Sequence, residues 1–148
     1  MDFNSLGKSF YLFDTFCGIP PDQMSDVERA ARLLLNANYF SDVYYEEARR
    51  NFEPFPRARL IRGTVPDTLP TAGVDCVCYL LLDMSVAYPE RTALEFFWPK
   101  LSTGAVVVVD DYAWHGYEPQ AQAMDEFARS VGVEILSLPT GQGIIIKP

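Results

Sequence analysis

VDCVCYLLLDMS, residues Val74 to Ser85, is an apolar run that stops at a carboxylate, Asp83. AVVVVDDY, Ala105 to Tyr112, repeats the form and stops at Asp110 and Asp111. A run apolar on both faces is the pattern of a strand buried inside a parallel sheet. In open α/β sheets, ligands bind at the carboxyl ends of such strands. Three acids are therefore expected at one crevice.

Outward toward the N-terminus, ARLIRGTVPDTLP holds a short strand, Ala58 to Arg62, broken by Gly63 and Pro66. Before it, SDVYYEEARRNF reads as a helix with Ser41 as N-cap. Val43, Ala48 and Phe52 would form its inward stripe, Glu46 and Arg50 would pair one turn apart, and Pro54 and Pro56 would end it. Asp26 to about Asn38 is a second helix, with Asp22, Ser25 and Asp26 as candidate caps. KSFYLFDTFCGIPP, from Lys8, opens with a strand ending at Asp14. Asp14 has two readings, the ribose-hydroxyl acceptor of a doubly wound sheet and a turn-capping Asp, and the local residues favour the turn.

Toward the C-terminus, PERTALEFFWPKL is a helix with Pro89 in its first turn. Its apolar face, Ala93, Leu94, Phe97 and Trp98, reads as core. The loop AWHGYEP follows the Asp110–Asp111 doublet and carries the single histidine, His115. It reads either as an exposed loop residue or as a general base at the acid-bearing end of the sheet. Trp114 and Tyr117 would wall an acceptor pocket or cover the sheet end. QAQAMDEFARSVG is a helix closed by Gly132, and VEILSLP and GIIIKP form an antiparallel hairpin around TGQG. The alternation is that of one α/β domain, three layers deep, with a mostly parallel sheet and an antiparallel C-terminal edge.

The chain has 148 residues and a net charge of -8, which disfavours nucleic acid or an anionic membrane as partner. Of the three cysteines, Cys76 and Cys78 alternate within the apolar run and read as core fillers, a pattern suited to a reducing cytoplasm. No signal peptide pattern opens the sequence, and no apolar stretch reaches the ~18–20 residues that span a bilayer.

Acids from two neighbouring strands suit one Mg²⁺, which prefers oxygen ligands and retains waters. Such an ion lowers the pKa of a substrate hydroxyl. The alternative is that Asp110 or Asp111 caps the following turn.

YLFDTFCGIP, DTLP, LLLDMS, WPKLSTGAVVVVDDY and LPTGQGIIIKP, in that order, resemble the macrocin O-methyltransferase-like branch of class I S-adenosylmethionine-dependent methyltransferases. The resemblance runs from Lys8 to Pro148. It implies a Rossmann-like sheet and Mg²⁺-assisted methyl transfer from S-adenosylmethionine to a hydroxyl of a sugar or natural product. It further implies that Asp14 contacts the cofactor ribose and that Gly63 and Thr64 lie near the adenine. Asp83, Asp110 and Asp111 would hold the metal, and Asp83 would take the hydroxyl proton. His115 is the second candidate for proton transfer.

Two departures from the pattern stand out. A second acid commonly follows two residues after the position of Asp83, where this chain has Ser85. The first strand of the family's sheet, its glycine-rich loop and the helix after it have no counterpart, so the chain reads as a partial domain that starts at the second strand. Without that strand, two sheet edges and an apolar face are expected to be open, offering a homodimer contact. A catalytically inactive remnant or interaction module is the competing reading. A phosphatase-like domain would need a lysine near a nucleophilic Asp, and none follows these acids.

Overall fold

The computed structural model describes residues 3–36 and 41–148. The elements are β1 (Phe10–Asp14), α1 (Asp26–Asn36), α2 (Ser41–Phe52), β2 (Ala58–Arg62), β3 (Val77–Leu82), α3 (Ala87–Phe97), β4 (Leu101–Val109), α4 (Glu118–Val131), β5 (Leu136–Ser137) and β6 (Gly143–Ile146). The end expected for α1, near Asn38, lies outside the described residues.

The strands form two sheets. β1 and β2 pair in parallel, and a second sheet has the order β3-β4-β6-β5. β3 and β4 are parallel, while β6 runs antiparallel to β4 and β5, which is the expected C-terminal hairpin. The break falls between β1 and β3, where the resemblance places a further strand. Side chains bridge it: Tyr11 and Phe13 of β1 pack against the main core, with the Phe13 and Phe97 ring centroids 6.1 Å apart.

One face of the larger sheet is covered. Leu82, Val107, Val109 and Ile145 are at most 1 % exposed and pack with Leu94 and Phe97 of α3 and Met124 and Phe127 of α4. Their partners in register show that they share one face. The other face is bare. Tyr79, Val106 and Ile146 form one row across it, and Leu81, Val108, Ile144 and Leu136 the next. Tyr79, Leu81, Ile146 and Leu136 are each about half exposed or more. Covering a side chain of this size is worth roughly 1.5–3 kcal/mol, a stabilisation that the fold leaves unrealised here.

β3 is therefore not the strand buried on both faces that its sequence suggests. Its outer edge has no strand partner among the described residues, and Cys76 and Cys78 are exposed rather than core. Two local readings also change. Val43 faces solvent instead of the core, and Glu46 pairs with Arg49 at 3.0 Å, while Arg50 donates to the Glu46 carbonyl. α4 closes as expected, with Gly132 at φ 71° and its N–H donating back into the last turn. Among the described residues, no helix is long and apolar enough to cross a membrane.

Candidate active site

The carboxyl ends of β1, β2 and β3 meet around a hollow. β1 ends in Asp14, whose Oδ1 accepts from the Phe16 backbone N–H at 2.7 Å. This is the local turn that the sequence favoured, and it holds Phe16 at φ 54°. The Gly63 N–H donates to the Asp14 carbonyl at 3.0 Å and ties the ends of β1 and β2 together. Gly63 sits at φ 141°, and a Cβ there would stand 2.6 Å from the Thr68 methyl, so only glycine fits. Thr64 donates to Asp67 at 2.7 Å, fixing the start of the next turn.

Two adjoining cavities open at these strand ends. One, of about 430 Å³, is lined by Thr15, Ile19, Pro20, Arg62, Gly63 and Thr64. The other, of about 160 Å³, reaches from Phe13, Asp14 and Gly63 to Asp83 and Met84. Asp14, Gly63 and Asp83 thus line one hollow, and Gly63 also borders the adjoining cavity that Thr64 lines. Its walls combine aliphatic and proline surface, suited to a flat heteroaromatic ring, with a carboxylate suited to hydroxyls.

Asp83 follows the last residue of β3. Burial, then the charges of Asp110 and Asp14, push its carboxyl above the ordinary Asp range. The turn after it is held by two buried acids. Glu90 Oε1 accepts from the Met84 and Ser85 N–H groups at 2.9 and 3.0 Å. Glu28 Oε1 accepts from the Ala87 N–H at 2.6 Å, while its Oε2 accepts from the N–H and hydroxyl of Ser25 at 2.8 and 2.6 Å. Glu28 thereby completes a capping box on α1 and binds the N-terminus of α3.

Asp110 lies beside Asp83, since its N–H donates to the Leu82 carbonyl at 2.9 Å. Its Oδ1 accepts from Gln142 Nε2 at 2.7 Å. The expected three-acid metal set is not assembled. Among the described residues, no group of three or more His, Cys, Asp or Glu is placed to hold a metal ion. Asp110 and Asp111 lie in the turn that follows β4, where the Asp110 carboxylate is already engaged by Gln142. Asp83 and Asp110, neighbours at the ends of β3 and β4, are the pair that would hold an Mg²⁺ ion, which takes one or two carboxylates beside its waters.

His115 does not join the hollow either. Its side chain is 103 % exposed and lies 3.4 Å from Glu118. Trp114 packs on the β5–β6 turn, donating to the Thr140 carbonyl at 3.1 Å, and its ring occupies the space a Cβ on Gly141 would need. It covers the sheet end rather than walling a pocket. Tyr112 donates to Asp125 at 2.6 Å, and burial with that bond pushes its hydroxyl up to about 12.

Sequence reasoning missed Glu28, Glu90 and Gln142. The Ser25-x-x-Glu28 spacing is a readable capping box. Glu90 gives no such signal, because an acid in a helix's first turn looks like a surface residue favoured by the helix dipole.

The model of the macrocin O-methyltransferase (TylF) family matches residues 3–136. The chain belongs to that family. It is 31 % identical over 125 residues to a demethyldecarbamoylnovobiocin O-methyltransferase of Streptomyces niveus, a match that covers 81 % of this chain and 47 % of the relative. It is 32 % identical over 112 residues to an 8-demethyl-8-(2,3-dimethoxy-alpha-L-rhamnosyl)-tetracenomycin-C 4'-O-methyltransferase of Streptomyces olivaceus, covering 72 % of this chain and 42 % of the relative. The chain spans about half the length of these curated relatives. The solved O-methyltransferase NovP superposes with a TM-score of 0.81 at 27 % identity, over 95 % of this chain and 60 % of that one. The calicheamicin methyltransferase CalS11 shares the fold, with a TM-score of 0.76 at 19 % identity over 93 % of this chain and 60 % of its own. This macrocin O-methyltransferase family member has the α/β methyltransferase fold, with its antiparallel hairpin in place and its sheet open between β1 and β3.

Proposed function

We propose that this chain carries the cofactor and proton-transfer part of an S-adenosylmethionine-dependent O-methyltransferase acting on a hydroxyl of a sugar or natural-product acceptor. The observation that carries the reading is Asp83, a carboxylate of raised proton affinity that lines the same hollow as Asp14 and Gly63. When bound, S-adenosylmethionine supplies an electrophilic methyl group. Asp14 would accept a ribose hydroxyl, and Gly63 and Thr64, with Ile19 and Pro20, would border the adenine. Asp83 would take the proton of the acceptor hydroxyl, leaving that oxygen nucleophilic. A carboxylate whose pKa has moved toward working pH is the better base. Alignment of the reacting atoms supplies much of the remaining rate.

Proton transfer is assigned to Asp83 alone, since no group of three acids is gathered for a metal ion among the described residues. Metal assistance is instead a variable of the test. Calorimetric titration with S-adenosylmethionine, with and without Mg²⁺, is paired with radiolabelled methyl transfer to a panel of glycosylated natural products. Asp83→Asn is expected to lower transfer by roughly 10²–10⁴-fold while keeping cofactor affinity. Undiminished transfer by that variant would remove Asp83 from the reaction.

The open β1 and β3 edges and the bare apolar face favour a second reading, an interaction module that keeps the fold without the reaction. Absent cofactor binding, together with a dimer in light scattering, would select it.

A further inference from the structure

We propose that Glu90 is a positioning residue for Asp83: its carboxyl holds the turn behind Asp83 and so sets where the Asp83 carboxylate stands in the hollow. The inference rests on the reading of Asp83 as the proton acceptor.

The two N–H groups bound by Glu90 Oε1 belong to Met84 and Ser85, the two residues directly after Asp83. Glu90 is 0 % exposed and sits on α3, whose Ala93, Leu94 and Phe97 are locked in the core. The anchor is therefore rigid, and the turn it grips carries the chain from β3 into α3. Ser85 adopts φ 62°, a left-handed conformation uncommon for residues other than glycine. Such strain persists where surrounding contacts over-determine it, and the paired bonds from one buried carboxyl do so. Glu28 grips the same turn from the other side, at Ala87.

Helix packing alone does not call for a carboxyl here. Glu90 Oε2 is buried with no hydrogen-bond partner among the described residues, which is costly. A methionine would fill the volume without that cost, but it would leave the Met84 and Ser85 N–H groups unpaired. Glu90 cannot itself touch substrate, being wholly enclosed, so its effect on the hollow passes through Asp83.

The test uses the full chain with Glu90→Gln, which keeps an acceptor oxygen, and Glu90→Met, which keeps the volume and removes it. Amide hydrogen exchange at Met84 and Ser85 is expected to quicken at least about tenfold in Glu90→Met and to stay near parental in Glu90→Gln. In methyl transfer, Glu90→Met should lose about 10–100-fold in kcat with the cofactor KM little changed, since a misplacement on the order of 1 Å costs that much. Glu90→Gln should restore the rate. In an Asp83→Asn background, Glu90→Met should cost nothing further, because both changes act on one group. Unchanged exchange in Glu90→Met, or an equal fold-loss with and without Asp83, overturns the proposal alone. Parental turnover by Asp83→Asn overturns the base assignment and this proposal with it.

Discussion

Replacing Glu90 by Gln should make the protein more stable at neutral and alkaline pH, by an amount that grows with pH. Burial pushes the Glu90 carboxyl up to about 8 from an ordinary 4.5; the Met84 N–H bond opposes this, and the Asp111 charge adds to it. Between those two values the unfolded chain has released the proton and the folded chain keeps it. The unfolded state therefore binds fewer protons, and stability falls as pH rises. The neutral carboxyl's contribution is fully present below pH 4.5 and is gone once pH passes about 8. Each pH unit inside that window removes about 1.4 kcal/mol, and the whole window about 5 kcal/mol. Glutamine presents the same acceptor to Met84 and Ser85 and does not titrate. Urea unfolding followed by tryptophan fluorescence, in steps from about pH 5 to about pH 8.5, should show the stability gap between Glu90→Gln and parent widening by about 3–5 kcal/mol in the variant's favour. Titrations of groups not coupled to Glu90 cancel in the difference. A gap that stays flat to within about 1 kcal/mol would refute the claim that Glu90 folds as a neutral acid.

Ile145→Ala should cost about 2–5 kcal/mol in urea unfolding and its neighbour Ile146→Ala less than about 1 kcal/mol, because the two side chains leave β6 on opposite faces and only the first is buried. Gly63→Ala should destabilise the chain by about 1–3 kcal/mol and weaken any cofactor binding seen in calorimetry, since its φ and the Thr68 methyl leave no room for a Cβ. His115→Ala should leave the rate and pH profile of methyl transfer within about twofold of the parent, because its imidazole stands in solvent, outside the hollow.

Much of the fold was legible because strand ends and helix ends are written locally. Asp14, Gly63, Pro89 and Gly132 mark boundaries that the structure keeps within a few residues. The hairpin around Thr140 to Gly143 followed from two short apolar runs held close by a turn sequence. The hollow was legible in part. Asp14, Gly63 and Asp83 line one cavity and Thr64 the adjoining one, because the carboxyl ends of β1, β2 and β3 lie on the same side.

Other features depended on what lies across space. Whether Leu81 is core or surface turns on which layer packs over its face, and an apolar run reads the same in both cases. Whether Asp110 and Asp111 converge with Asp83 depends on how the chain leaves β4, and Gln142, thirty-two residues from Asp110, already engages that carboxyl. Glu90 looks like any surface acid of a helix start until α3 is seated against the turn it binds. Periodicity and turn chemistry, which act between neighbours in the chain, determined the elements and their order. Burial, proton affinity and the pairing of buried polar groups arise between residues far apart in sequence, so only the tertiary structure decided them.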